Sequence, residues 1–170
     1  MVTSVDDNGK PNIITLAWTG VLCSEPPQIG ISIAPARYSH DLIEKTGEFV
    51  VNVPTSDILK EVDYCGTISG RRADKFKETK LTQMKARRVE PPLIKECPVR
   101  MECMVKNIVQ LGSHDLFVGE IVAVDVDEKV YQKGHKEDLL ELKPIVFSPL
   151  KGEYYSLGKL LGAIGFSRKK

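Results

Sequence analysis

Metal-ligating residues are scarce in this chain. Its 170 residues include three histidines and four cysteines, and no CxxC or HxxxH spacing pairs any of them, so a metal centre is not expected. If Cys97 and Cys103 share a strand, a rise of about 3.3 Å per residue sets them roughly 20 Å apart, beyond disulfide or shared-ion reach. With no signal peptide in view, the thiols read as reduced cysteines of a cytoplasmic protein. Long apolar runs are missing too. Stretches such as Ile121 to Val124 fall far short of the roughly 20 residues that span a bilayer, so a soluble protein away from membranes is expected.

Net charge is nearly absent, with 24 basic residues against 23 acidic. That removes the global electrostatic reason to expect a nucleic-acid or membrane partner. Neither a Walker loop nor a G-x-G-x-x-G turn occurs, which disfavours a P-loop nucleotide site and a Rossmann dinucleotide site. What the chain does have is 42% hydrophobic residues, enough for one core and one domain over 1–170. Its charge is polarised locally. Arg71 to Arg88 holds eight basic residues against Asp74 and Glu78, whereas Asp115 to Glu128 holds five acidic residues and no Lys or Arg. A local cationic patch of this size suits a phosphorylated small molecule. An RNA-binding or single-strand DNA-binding barrel would need exposed aromatic platforms, and the patch offers only Phe76.

Asp7-Asn8-Gly9 predicts a turn between a short first strand and an extended run from Ile13 to Trp18. Strand patterns recur at Ile29 to Ile33, Phe49 to Val53, Val99 to Val105 and Leu116 to Val126, with Gly119 as a candidate bulge. Ser39 reads as the N-cap of a short helix that stops at Gly47, and Ser56-Asp57 opens a second one before a loop at Gly66 to Gly70. Strands with two short helices inserted, without regular strand-helix alternation, predict a mainly β antiparallel barrel.

Three segments carry candidate chemistry. Ala34 to Asp41 leads from a strand into a helix, so first-turn amides, the Ser39 hydroxyl, Arg37 and His40 together suit a phosphate dianion. An ordinary capped helix with surface charges explains the same residues. Cys65 to Phe76 is a glycine-punctuated loop with Ser69, Gly70, Arg71 and Lys75, and a solvated basic face explains it as well. Asn12, Thr15, Thr19 and the sole tryptophan, Trp18, share a strand and its exit, although a tryptophan is ordinarily core. His114 lies in a Gly-Ser-His-Asp turn, open to a surface or a proton-donor role. Cys65 reads as a small buried residue in preference to a redox thiol.

Taken in order, Asp-Asn-Gly-Lys-Pro-Asn-Ile-Ile-Thr-Leu-Ala-Trp, Ser-Glu-Pro-Pro-Gln-Ile-Gly-Ile-Ser-Ile, Arg-Tyr-Ser-His and Gly-Glu-Phe-Val-Val-Asn-Val-Pro resemble the flavin reductase-like, FMN-binding split-barrel family. Cys-Gly-x-x-Ser-Gly with Asp74-Lys75-Phe76, the Gly-Ser-His-Asp-Leu-Phe-Val-Gly-Glu hairpin and Tyr-Tyr-x-Leu-Gly near the end extend the resemblance over essentially the whole chain. It implies a six-stranded Greek-key split β-barrel with short inserted helices, homodimeric, with FMN near the subunit interface. Family members usually have a longer first strand, so either a native N-terminal piece precedes Met1 or the first barrel strand is truncated at its N-terminus.

By the same resemblance, Thr15, Ala17 and Trp18 lie along the isoalloxazine, and Arg37, Ser39 and His40 take the phosphate. Ser69, Gly70, Arg71 and Lys75 close over the phosphate and ribityl chain, and His114 lies near the ring where a second substrate docks. The implied activity is electron transfer from NADH or NADPH through FMN to an acceptor such as free flavin or a ferric species. The alternative is a flavoredoxin-like FMN electron carrier reduced by a redox protein partner.

Overall fold

The computed structural model describes residues 1–130 and 142–168. The first hairpin forms where its turn residues predict it. The Asp6 carboxylate accepts the N–H groups of Asn8 and Lys10, each at 2.9 Å, and Gly9 takes φ 77°, a value glycine reaches without steric cost. This turn joins β1 (Val2–Val5) to β2 (Pro11–Ile14), paired from Val2 with Ile14 to Val5 with Pro11. Then come β3 (Thr19–Ser24), β4 (Pro27–Ile33), α1 (Tyr38–Thr46) and β5 (Glu48–Val53). A short 3-10 turn at Ser56–Ile58 leads into α2 (Leu59–Thr67) and α3 (Lys75–Thr79). The small ladder β6 (Gln83–Met84) and β7 (Leu93–Ile94) precedes the long strands β8 (Val99–Gln110) and β9 (Asp115–Val126), and the hairpin β10 (Ile145–Ser148) and β11 (Glu153–Ser156) follows.

The main sheet runs β2-β1-β5-β8-β9-β4-β3, its neighbours antiparallel. Because β4 lies beside β9 while its successor β5 lies beside β1, the chain must cross over, as a Greek key requires. In a flat sheet β2 and β4, five places apart, would be separated by about 24 Å at roughly 4.8 Å per strand. Yet Val2, Ile14, Ile31, Phe49, Cys103 and Phe117, drawn from β1, β2, β4, β5, β8 and β9, share one buried cluster. Six strands therefore roll into a barrel around this core, and β3 is a mostly exposed extension. A second cluster, with Ile13, Val62, Cys65 and Phe76, packs α2 and α3 against the outer face of β2. Among the described residues, no helix is long and apolar enough to cross a membrane.

Four local expectations change. The extended run ends at Ile14 and does not reach Trp18, because Thr15 turns out of the sheet and docks on α2: its hydroxyl donates to the Val62 carbonyl at 2.6 Å and its N–H to that of Cys65 at 3.4 Å. Gly119 is not itself a bulge. One register shift lies opposite it, where β8 carries an extra residue between Val105 and Asn107, and another lies between Glu102 and Cys103, opposite an extra residue of β9; the absent side chain of Gly119 leaves room for the Phe49 ring. Helix α1 is capped by Arg37 and not by Ser39, since the Ala34 carbonyl accepts from Arg37 N–H and the Arg37 carbonyl from His40 N–H, so Ser39 falls inside the first turn. Finally, α2 continues through Gly66 to Thr67. Met1 prolongs the β1 ladder by exchanging two 2.8 Å bonds with the backbone of Asn52.

Candidate functional site

Where β2 leaves the sheet, the outer wall of the barrel carries two adjoining spaces. A cleft of about 460 Å³ is lined by Ile14 to Trp18, by Ser32, Ala34 and Arg37, by Asp63, Gly66 and Thr67 of α2, by His114, and by Phe147, Pro149, Gly152 and Tyr154. A recess of about 100 Å³ is lined by Asn12, Ile14, Ala36 to Ser39, Cys65, Gly66, Ile68 to Gly70 and Lys75. Ile14, Arg37 and Gly66 belong to both walls, so the two adjoin and together make a slot, broad at one end and narrow at the other.

The narrow end is rich in hydrogen-bond donors. Lys75 is 4% exposed, and its ammonium donates to the carbonyls of Ile13 at 2.6 Å and Cys65 at 2.8 Å, leaving one of three N–H groups uncommitted to these carbonyls. Burial, aided by Arg37 and opposed by Cys65, lowers its pKa from 10.5 to about 8. The Tyr38 and Ser39 amides open α1 with no residue of the helix four places back to accept from them, at the positive end of the helix dipole, whereas His40 N–H is taken by the Arg37 carbonyl. Ser39 is buried, and its oxygen accepts from the Asn12 side-chain amide at 2.8 Å. Gly66 abuts Thr15, and a side chain at Gly70 would overlap the Asn12 carboxamide oxygen, so both glycines keep the wall thin. Cys65 is buried, and burial above all pushes its thiol up to about 11, which keeps it an inert lining group.

The broad end is flatter and more apolar. Trp18 is 51% exposed, contrary to the ordinary core placement of a tryptophan, and meets the His114 ring edge-on with centroids 4.4 Å apart. His114 Nδ1 is 3.0 Å from the Ser113 hydroxyl. Across the cleft, the Tyr154 hydroxyl donates to Asp63 at 3.0 Å and its ring packs against Phe147. Partial burial, together with the Asp63 carboxylate, pushes the Tyr154 phenol up to about 12, so it remains a donor at neutral pH.

Of the eleven residues given a flavin or substrate role by the resemblance, nine line the slot: Thr15, Ala17, Trp18 and His114 the cleft, Ser39, Ser69, Gly70 and Lys75 the recess, and Arg37 the shared wall. Two do not. His40 is 2.7 Å from the Asp115 carboxylate and packs edge-on against Phe117, so its ring points into the protein and lines neither space. Arg71 stacks over Tyr38, bonds the Ala36 carbonyl at 3.2 Å and pairs with Asp41. Its guanidinium braces the start of α1 from outside both spaces. Lys75 forms the buried floor and does not close over the top. Sequence reasoning missed Asp63, Thr67, Phe147 and Tyr154. The four-residue spacing of Asp63 and Thr67, which puts both on one face of a helix, was a usable signal.

The profile of the flavin reductase like domain matches residues 1–148. A protein of Archaeoglobus fulgidus is 44% identical over 115 residues, covering 68% of this chain and 65% of that protein. The chain thus spans just under two thirds of that relative's length. Among solved structures, the flavoredoxin of Desulfovibrio vulgaris (Miyazaki F) superimposes with a TM-score of 0.91 at 32% identity, over 99% of this chain and 90% of that one. A flavoredoxin from Methanosarcina acetivorans gives 0.87 at 29% identity, over 98% and 87%.

Proposed function

The chain belongs to the flavin reductase-like family, and from that premise we propose that it is an FMN-binding oxidoreductase passing electrons from NADH or NADPH to an acceptor such as free flavin or a ferric species. The observation that carries this reading is the slot, in which a donor-lined recess of about 100 Å³ adjoins a cleft of about 460 Å³. That shape accepts a phosphate at one end and a flat ring system at the other. The residues present fit the group, since Gly66 and Gly70 leave the wall without side chains where Thr15 and Asn12 come close.

Bound there, a flavin supplies the redox chemistry, and the protein's task is to hold, orient and shield it. Arg37, the Ser39 hydroxyl, the Lys75 ammonium and the first amides of α1 bind the phosphate. The segment from Thr15 to Trp18, freed from the sheet, offers backbone groups to the ring edge, and Trp18 with His114 walls one side. Phe147 and Tyr154 of the β10–β11 hairpin exclude water from the other. With Nδ1 turned to Ser113, His114 has Nε2 left to meet a second substrate.

The functional unit is a homodimer. Support comes from the apolar surface the single chain leaves bare, including Leu160 at 82%, Leu161 at 89%, Ile164 at 105% and Phe166 at 80% exposure; large bare patches of this kind mark association surfaces. Purified protein is expected to be yellow, to sediment as a dimer, and to lose its flavin absorbance when NADH or NADPH is added anaerobically. Colourless protein that fails to take up FMN overturns the reading. The likeness to two flavoredoxins at 32% and 29% identity favours a second reading, an FMN electron carrier. Flavin unchanged by either nicotinamide but reduced by a redox protein such as a ferredoxin selects it.

A further inference from the structure

We propose that Asn12 sets the selectivity of the recess for a phosphomonoester, by holding the Ser39 hydroxyl as a hydrogen-bond donor toward the ligand. This rests on the FMN reading above. Asn12 is 5% exposed and Ser39 1%, and the Asn12 side-chain N–H donates to Ser39 Oγ at 2.8 Å. A hydroxyl that accepts one bond still has its own proton to place. A serine inside a helix ordinarily gives that proton to a carbonyl three or four residues back. Here those residues are Ala36 and Pro35, before the helix starts at Tyr38, and among the described residues Asn12 is the hydrogen-bond partner of Ser39 Oγ. The proton is therefore left for the recess that Ser39 lines.

The rest of the Asn12 carboxamide supports the same assignment. Its oxygen, which would repel a phosphate, lies against Gly70, where any side chain would overlap it. Gly70 thus admits the orientation in which Asn12 turns its N–H to Ser39 and its oxygen away. With Arg37 and Lys75 on the same lining, the recess presents donors to a ligand end that only accepts. A fully ionised phosphomonoester satisfies them all, whereas the terminal hydroxyl of riboflavin would satisfy few.

The test titrates FMN and riboflavin by fluorescence quenching into the wild type, Asn12→Ala, Ser39→Ala and the double variant. Wild-type protein is expected to prefer FMN, and each single substitution to cut that preference about tenfold, as befits one hydrogen bond to a charged group. The double variant is expected to lose no more than either single one, because Asn12 acts through Ser39. Gly70→Ala, which displaces the Asn12 oxygen, is expected to lower the preference in the same direction, and riboflavin binding reports in each variant that the ring site is folded. An unchanged preference in Asn12→Ala, or losses that multiply in the double variant, overturns the inference while leaving the flavin reading intact. Wild-type protein that binds neither ligand overturns both.

Discussion

At the recess, Asn12, Ser39 and Lys75 are each 5% exposed or less and are held by hydrogen bonds of 2.6 to 2.8 Å, whereas at the cleft Trp18 stands 51% exposed and touches only a neighbouring ring among the aromatic contacts. The contrast separates two tasks. Groups fixed before the ligand arrives cost no ordering on binding, so the recess is suited to affinity. The cleft, more open and more apolar, is where a reactant would reach a bound ring. Affinity and chemistry would then respond to different substitutions.

The strongest way to break that separation is at Lys75. Lys75→Met leaves the carbonyls of Ile13 and Cys65 without their buried partner and removes a cation from the phosphate floor. FMN affinity is expected to fall about hundredfold, at the upper end for a charged hydrogen bond, and riboflavin affinity far less. Equal losses in parallel titrations would show that the recess does not read the phosphate. A weaker lever lies at the cleft. His114→Gln is expected to slow nicotinamide-driven flavin reduction about tenfold in anaerobic stopped flow, with FMN affinity within about twofold. If affinity falls instead, the two ends are not independent.

The smallest effect concerns the free protein and pH. Burial holds Lys75 at about 8 instead of 10.5, so between those values the unfolded chain binds more protons and the contribution of Lys75 to stability rises with pH. Burial also lifts Cys65 and Cys97 from 9.0 to about 11 and Cys103 to about 12. These thiols keep protons that the unfolded chain sheds, so above pH 9 they act in the opposite sense and outnumber the lysine. Urea titrations are expected to show stability levelling off between about pH 8 and 9, where the lysine and the thiols nearly cancel, and falling beyond it. Lys75→Met is expected to start the fall at lower pH.

Much of the barrel was legible because its signals are local. The turn at Asp7-Asn8-Gly9, the stop at Gly47 with φ 70° and the alternation along β8 all depend on neighbours in sequence. The roles of Asn12, His40 and Arg71 were not legible in this way. His40 pairs with Asp115 across 75 positions and Arg71 with Asp41 across 30, and either residue, considered alone, suits a phosphate equally well. Which cation faces the ligand is decided by the carboxylate that reaches it first, and that depends on tertiary packing. The core placement ordinary for a tryptophan fails at Trp18 for a related reason, because the bonds from Thr15 to α2 carry the chain out of the sheet just before it.

Gly119 has one further consequence. The Phe49 ring occupies the space where a side chain would stand on β9, so at this level the barrel is a solid post, not a container. Ligand room exists where the chain leaves that post, between β2, α1, α2 and the β10–β11 hairpin. A designer seeking to admit a bulkier oxidant or reductant would therefore reshape those outer segments and leave the post untouched, since widening the interior would weaken the support without enlarging the workplace.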